Sequence, residues 1–183
     1  SKAEIKQMED HKMKKFLQTI SMIMLSLVLA LSAAGCAGQG DDNKSGSNLE
    51  GSLEDILKQI YEKAELSDDF REYTLDSLLL NEINEENEEY HLGKKGIVYK
   101  EAVVSEPMMM PSAYALCLIR ANEDQDIEAF KTEIKDSANP NKWICVGVDE
   151  KNVLVDNVGD IVILVMSDDN AQPIMDAFKA LAA

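Results

Sequence analysis

Basic side chains are scarce in this 183-residue chain. There are 18 Lys and Arg against 34 Asp and Glu, a formal net charge of −16. Nucleic-acid affinity comes mostly from Lys and Arg neutralising phosphates, so this balance excludes a protein that grips a phosphate backbone. The three cysteines are too few for a disulfide scaffold. Aromatics make up 5% of the chain and Trp143 is the single tryptophan, a poor platform for the sugar rings that a glycosidase-like carboxylate pair would need. Of the two histidines, only His91 lies beyond residue 35, so any Ser-His-Asp or Cys-His site would have to use it. A three-ligand zinc site is poorly supplied by that His with Cys117 and Cys145. Neither a phosphate-binding loop, nor a dinucleotide fingerprint, nor a Gly-x-Ser-x-Gly elbow occurs. We therefore expect no catalytic residue, no metal and no cofactor, and read the chain as a non-enzyme.

What is present begins at the N-terminus. Lys14 and Lys15 precede Phe16–Ala34, which is almost wholly apolar or small. A basic start, an apolar middle and small residues before a cleavage point make an export signal. A membrane-spanning helix needs roughly 20 apolar residues, and the uninterrupted run Met22–Leu31 is shorter. Met13 is the natural start of such a signal, so residues 1–12 read as an upstream extension. The signal ends in Ala33-Ala34-Gly35-Cys36, which resembles the lipobox of bacterial lipoproteins. The resemblance implies cleavage between Gly35 and Cys36 and a diacylglyceryl thioether on Cys36, with the protein held on the extracytoplasmic face of the cell membrane. Two acyl chains on one residue meet the requirement for stable anchoring. Removing residues 1–35 takes five basic and three acidic residues, leaving 13 against 31 and a net −18.

Residues 36–48 are rich in Gly, Ser, Asn and Asp and read as a flexible tether. Asp41-x-Asn43-x-Ser45-Gly46 imitates a calcium loop but has Ser52 where the bidentate Glu belongs. Residues 49–183 read as one domain. Leu53, Ile56, Leu57, Ile60 and Ala64 form an apolar stripe of helical spacing, with Ser52 as N-cap. Ser67–Gly93 is ambiguous. Leu75, Leu78, Leu79 and Leu80 fit a short buried helical turn. Asn81–Glu89 carries five Glu in nine residues, either a site for a cation or basic partner or a solvated loop or helix surface. Ile97–Val104 and Ala113–Ala121 read as strands. Pro107 and Pro111 bracket Met108, Met109 and Met110 in the connection between them. A helix over Asp124–Asp136, capped by Asn122, follows. Trp143–Val148 reads as a short strand, and Val153–Asp156 with Asp160–Ser167 as a hairpin turning at Asn157-Val158-Gly159. Asp169 or Asn170 caps a last helix with Pro173 in its first turn.

The expected fold is α+β: an opening helix, then two strand-strand-helix units forming a mainly antiparallel sheet of four or five strands, with helices mainly on one face. Ala113–Ala121 and Ile161–Val165 are apolar on both faces, which asks for cover on each side or a dimeric sheet. Ala113-Tyr114-Ala115-Leu116, Asn152-Val153 and Val158-Gly159-Asp160-Ile161-Val162 are similar to an uncharacterised domain family of small Gram-positive lipoproteins. That resemblance implies export and fold size and supplies no activity. Cys117 and Cys145 look like buried small hydrophobes, able to form a disulfide only if their strands adjoin. Met108, Met109, Met110 and Trp143 form a candidate interaction surface, the alternative for the three Met being to plug a core edge. The expected function is a membrane-anchored binding module whose partner is a basic protein, a cation or another cell-envelope component. The alternatives are an accessory subunit of an envelope complex and a carboxylate-dependent envelope hydrolase.

Overall fold

The computed structural model describes residues 48–108 and 113–182. Residues 13–35, Cys36 and almost all of the tether lie outside the described residues, as do Met109 and Met110. The elements in chain order are α1 (Leu53–Lys63), β1 (Leu78–Glu82), α2 (Glu88–Leu92), β2 (Glu101–Pro107), β3 (Ala115–Arg120), α3 (Ile127–Ser137), β4 (Val153–Val158), β5 (Ile161–Met166) and α4 (Ala171–Lys179). The five strands form one open sheet in the order β1-β2-β3-β5-β4, with every neighbouring pair antiparallel.

The α+β class and the antiparallel sheet are as expected, but the helices divide between both faces rather than gathering mainly on one. α1 and α4 cover Leu116, Leu118, Ile161, Ile163 and Val165. The opposite face, with Cys117, Ile119, Val162, Leu164 and Met166, is covered by Phe130 and Ile134 of α3 and by Leu92, Trp143 and Val148. The cause lies in β3 and β5. Every β5 residue is buried, so both faces need an apolar layer. A second helical layer supplies it within one chain.

Local chemistry explains most boundaries. Ser52 caps α1, its Oγ accepting from the Asp55 N–H at 3.1 Å. Leu53, Ile56, Leu57 and Ile60 are buried, each worth about 1.5–3 kcal/mol of transfer free energy. α3 is capped by Asp126 rather than Asn122, through the Ala129 N–H at 3.1 Å. Asn170 occupies the cap position of α4, but its Oδ1 accepts from the Ser67 N–H and ties the post-α1 segment to that helix. The β4–β5 turn holds Gly159 at φ +57 followed by Asp160 without positive φ, the pattern of a two-residue hairpin with Gly first.

Three expectations give way. Leu78-Leu79-Leu80 opens strand β1, not a helical turn, after a π-helical turn at Phe70–Thr74 and a 3₁₀ turn at Leu75–Ser77. β2 runs on through Pro107. Its pairing with β3 ends at Ser105–Leu116, so the missing proline N–H falls beyond that ladder. Trp143–Val148 is no strand: both its ends are buried, Ile144 is 77% exposed, and Cys145 sits at φ +68. The Val148 N–H bonds back to the Pro140 carbonyl, closing a loop. Cys145 is thus exposed, not a buried hydrophobe, and both it and buried Cys117 are free thiols.

Candidate functional site

The two edges of the sheet differ. At the β4 edge, Lys131 and Lys135 of α3 and Lys179 of α4 line a cleft of about 480 Å³ along the strand. Lys135 donates to the Val153 carbonyl, and Lys131 and Lys179 converge on Asp156. Lysine along an edge is a recognised guard against further strand pairing.

The β1 edge has no such guard. Leu78–Asn81 carries neither charge nor proline, exposed Glu82 at the end of the strand is its one charge, and Leu79 and Leu80 are 40% and 37% exposed. The ladder to β2 fixes which backbone groups are free. The Ile83 N–H bonds the Ala102 carbonyl and the Met108 N–H bonds the Ser77 carbonyl. In an antiparallel register the bonded pairs alternate, so Leu79–Glu106 and Asn81–Val104 exchange bonds within the sheet. Leu78, Leu80 and Glu82 therefore turn their backbone groups outward; the Leu78 N–H is taken by the Leu75 carbonyl and the Glu82 carbonyl accepts from Asn87 Nδ2 at 2.9 Å, which leaves the Leu78 carbonyl, both groups of Leu80 and the Glu82 N–H for pairing. Among the described residues no strand pairs with them. Met108, 66% exposed, extends the apolar strip at the Leu78 end. Beside it, between α1 and β1, runs a groove of about 490 Å³ lined by Leu57, Tyr61, Leu75, Leu78, Leu80 and Ser105, with Lys58 and Arg71 among its polar residues.

β2 stiffens this edge from behind with a polar network on each face. On the α1 face, the Tyr61 hydroxyl donates to Ser105 Oγ at 2.8 Å and lies 2.7 Å from the Tyr114 hydroxyl. Burial pushes the Tyr61 phenol up to about 12 and the Tyr114 phenol well above its usual range, so both remain protonated hydrogen-bond partners. On the other face, Glu106 meets Lys142, whose Nζ lies 3.1 Å from Glu106 Oε2. That ammonium is also 4.4 Å from the Tyr90 ring centroid and 5.1 Å from that of Trp143. The Lys142 side chain is only 2% exposed.

His91 Nδ1 stands 3.7 Å from Glu106 Oε1, beyond hydrogen-bond reach, and is buried without a partner. Burial and the Lys142 charge hold its pKa below the usual 6.5, against the opposing pull of Glu106. A histidine kept neutral in the folded state costs stability once the unfolded chain takes up protons. Stability is therefore fullest above pH 6.5 and falls as pH drops through the window between 6.5 and the lowered folded value. Urea denaturation at stepped pH should show this slope, and His91→Gln should flatten it; equal slopes for the two proteins would refute the assignment. His91 and Cys117 are neighbours without forming a catalytic pair. The thiol lies 4.0 Å from the His91 backbone carbonyl, not on the ring, and burial pushes it up to about 12.

The sequence-read surface is partly reassigned. Met108 is exposed and borders β1, whereas Trp143 is 6% exposed and belongs to the second core. Tryptophan offers the largest apolar area in the chain, and here it covers a sheet face and the Lys142 ammonium. A third hollow, of about 520 Å³, is lined by Asp69, Asp168 and Asp169. Asp168 Oδ1 in it accepts from the Asp149 N–H and Asn152 Nδ2. Among the described residues no group of three His, Cys, Asp or Glu is placed to hold a metal, and no helix is long and apolar enough to cross a membrane. Sequence reading missed Lys142, Glu106 and the β1 edge; the one available signal was the uncharged run Leu78–Asn81 beside the five-Glu stretch. No protein-family model matches the chain, and no curated protein or solved structure matches it.

Proposed function

We propose that the protein is a lipid-anchored interaction module on the extracytoplasmic face of the cell membrane, and that it takes an extended polypeptide by strand addition to β1. The observation that carries the binding half is the unguarded edge. The outward Leu78 carbonyl, the N–H and C=O of Leu80 and the Glu82 N–H lie beside an apolar groove, while the opposite edge is shielded by lysine. Edge-strand addition draws affinity from main-chain bonds and specificity from alternate side chains in neighbouring pockets. The anchoring half rests on the lipobox-like Ala33–Cys36 and the basic, then apolar, run before it. The likeness of residues 113–181 to small Gram-positive lipoproteins belongs to the same reading. An accessory subunit of an envelope complex would use the same edge for a permanent partner.

Two variants test the halves separately. Cys36→Ser should move the protein from the membrane to the soluble fraction; a protein still bound and uncleaved would refute lipid anchoring. Leu80→Pro removes an outward N–H and leaves the β1–β2 bonds intact. It should abolish co-purification of envelope partners with the membrane-bound protein, without lowering its Tm by more than a few degrees. Unchanged co-purification would refute strand addition at β1.

A further inference from the structure

The segment that carries β1 is the most acidic part of the chain. Between Glu65 and Glu89 there are ten acidic residues and one basic residue, Arg71, a net −9 and more than half of the chain's net −16. Arg71 is engaged, its Nη2 donating to the Ala64 carbonyl at 2.7 Å. Of the Glu residues that continue past β1, Glu88 is buried and accepts from the Gly96 N–H at 2.5 Å. Glu82, Glu85, Glu86 and Glu89 are exposed. Of these, Glu89 is paired with Lys95, at 3.7 Å. Before β1, Glu72 and Asp76 are also exposed.

The open, apolar strand is thus bracketed by carboxylates at both ends. A second copy of this chain would bring the same charges against themselves, which costs affinity and slows encounter. A segment with apolar residues at alternate positions and Lys or Arg at its ends matches both features. Resting on the strand-addition reading, we infer that the occupant of β1 is a basic, extended polypeptide segment. Its main chain bonds the Leu78 carbonyl, both groups of Leu80 and the Glu82 N–H, its alternate side chains enter the groove by Leu57 and Leu75, and its cations lie along Glu82, Glu85 and Glu86.

The test uses the full-length protein in neutral detergent and a fluorescent peptide of about ten residues alternating Val and Thr, with Lys at both ends. Binding is followed by anisotropy. The basic peptide should bind about tenfold or more tightly than analogues ending in Ser or Glu, and this preference should shrink between about 0.05 and 0.5 M salt. The triple variant Glu82→Gln, Glu85→Gln, Glu86→Gln, made at exposed positions, should lower affinity for the basic peptide about tenfold and leave the Ser-ended peptide unchanged. Equal affinity for basic and Ser-ended peptides, still lost in Leu80→Pro, would overturn the basic partner and leave strand addition standing. Basic-peptide binding that survives Leu80→Pro would overturn both. Dimerisation in sedimentation that Leu80→Pro abolishes would make a second copy the occupant and overturn the inference.

Discussion

Replacing Glu106 with leucine should destabilise the protein by about 3 kcal/mol, more than its partly exposed position would lead one to expect. The reason is the partner it leaves behind. With a side chain 2% exposed, the Lys142 ammonium has Glu106 Oε2 at 3.1 Å as its counter-charge. The rings of Tyr90 and Trp143 remain in the variant, but cation–π attraction is worth about 0.5–2 kcal/mol and does not offset the loss of a paired carboxylate. Breaking a buried pair by removing one partner costs about 3–5 kcal/mol, because the other charge stays out of water. The lower end applies here, since Glu106 keeps 17% of its side-chain exposure. Replacing both, as Glu106→Leu with Lys142→Leu, should recover most of the loss, because two apolar side chains at that face carry no stranded charge. Urea titration of the single and double variants decides it. A single variant within about 1 kcal/mol of the parent would mean that Lys142 reaches water by a small shift of its loop.

This pair also marks where sequence reading stops. Glu106 and Lys142 are 36 residues apart, one on β2 and one on an irregular loop, and nothing local joins them. The three longer helices, α1, α3 and α4, were legible because their information is local, whereas the short α2 lay in a stretch that read as ambiguous. The α1 stripe at Leu53, Ile56, Leu57 and Ile60 and the Ser52 cap appear as they were read. The doubly apolar runs that became β3 and β5 asked for cover on each side or a dimeric sheet, and the structure meets this with helices on both faces rather than mainly on one. β1 was not legible, since Leu78-Leu79-Leu80 lacks strand alternation and leucine favours helix. Only the ladder to β2 makes it a strand, and with it the candidate site. Trp143–Val148 erred the other way. Its apolar composition suits a strand, but Trp143 and Val148 serve the second core from the ends of a loop.

A comparable loss should follow from adding one methyl group at Gly93, at the end of α2. Gly93 lies at φ +87, where its N–H closes on the Glu89 carbonyl. A Cβ there would sit 1.7 Å from the Ser137 carbonyl oxygen and 2.6 Å from its carbon. Both atoms are backbone at the end of α3, so no flexible side chain can swing aside. Relief requires α2 to lift from α3, and fully buried Leu92 precedes the glycine directly. Gly93→Ala should therefore cost about 3 kcal/mol or more, combining left-handed strain with overpacking. Gly96 provides the control. It lies at φ +78 with nothing within 4 Å of an added Cβ, so Gly96→Ala should cost only the strain, about 1–2 kcal/mol. Equal losses in thermal and urea denaturation would show that the contact with Ser137 relaxes without cost.

The contrast between the two sheet edges has a further consequence, one of polarity. A molecule with two receptive edges is a link in a chain, since each strand it accepts leaves another edge exposed behind it. Here the lysines along β4 act as a terminus, with Lys135 occupying the Val153 carbonyl. Pairing at β1 therefore ends with the arriving strand instead of passing through the molecule to a third. Such a sheet favours discrete one-to-one assemblies over fibrils.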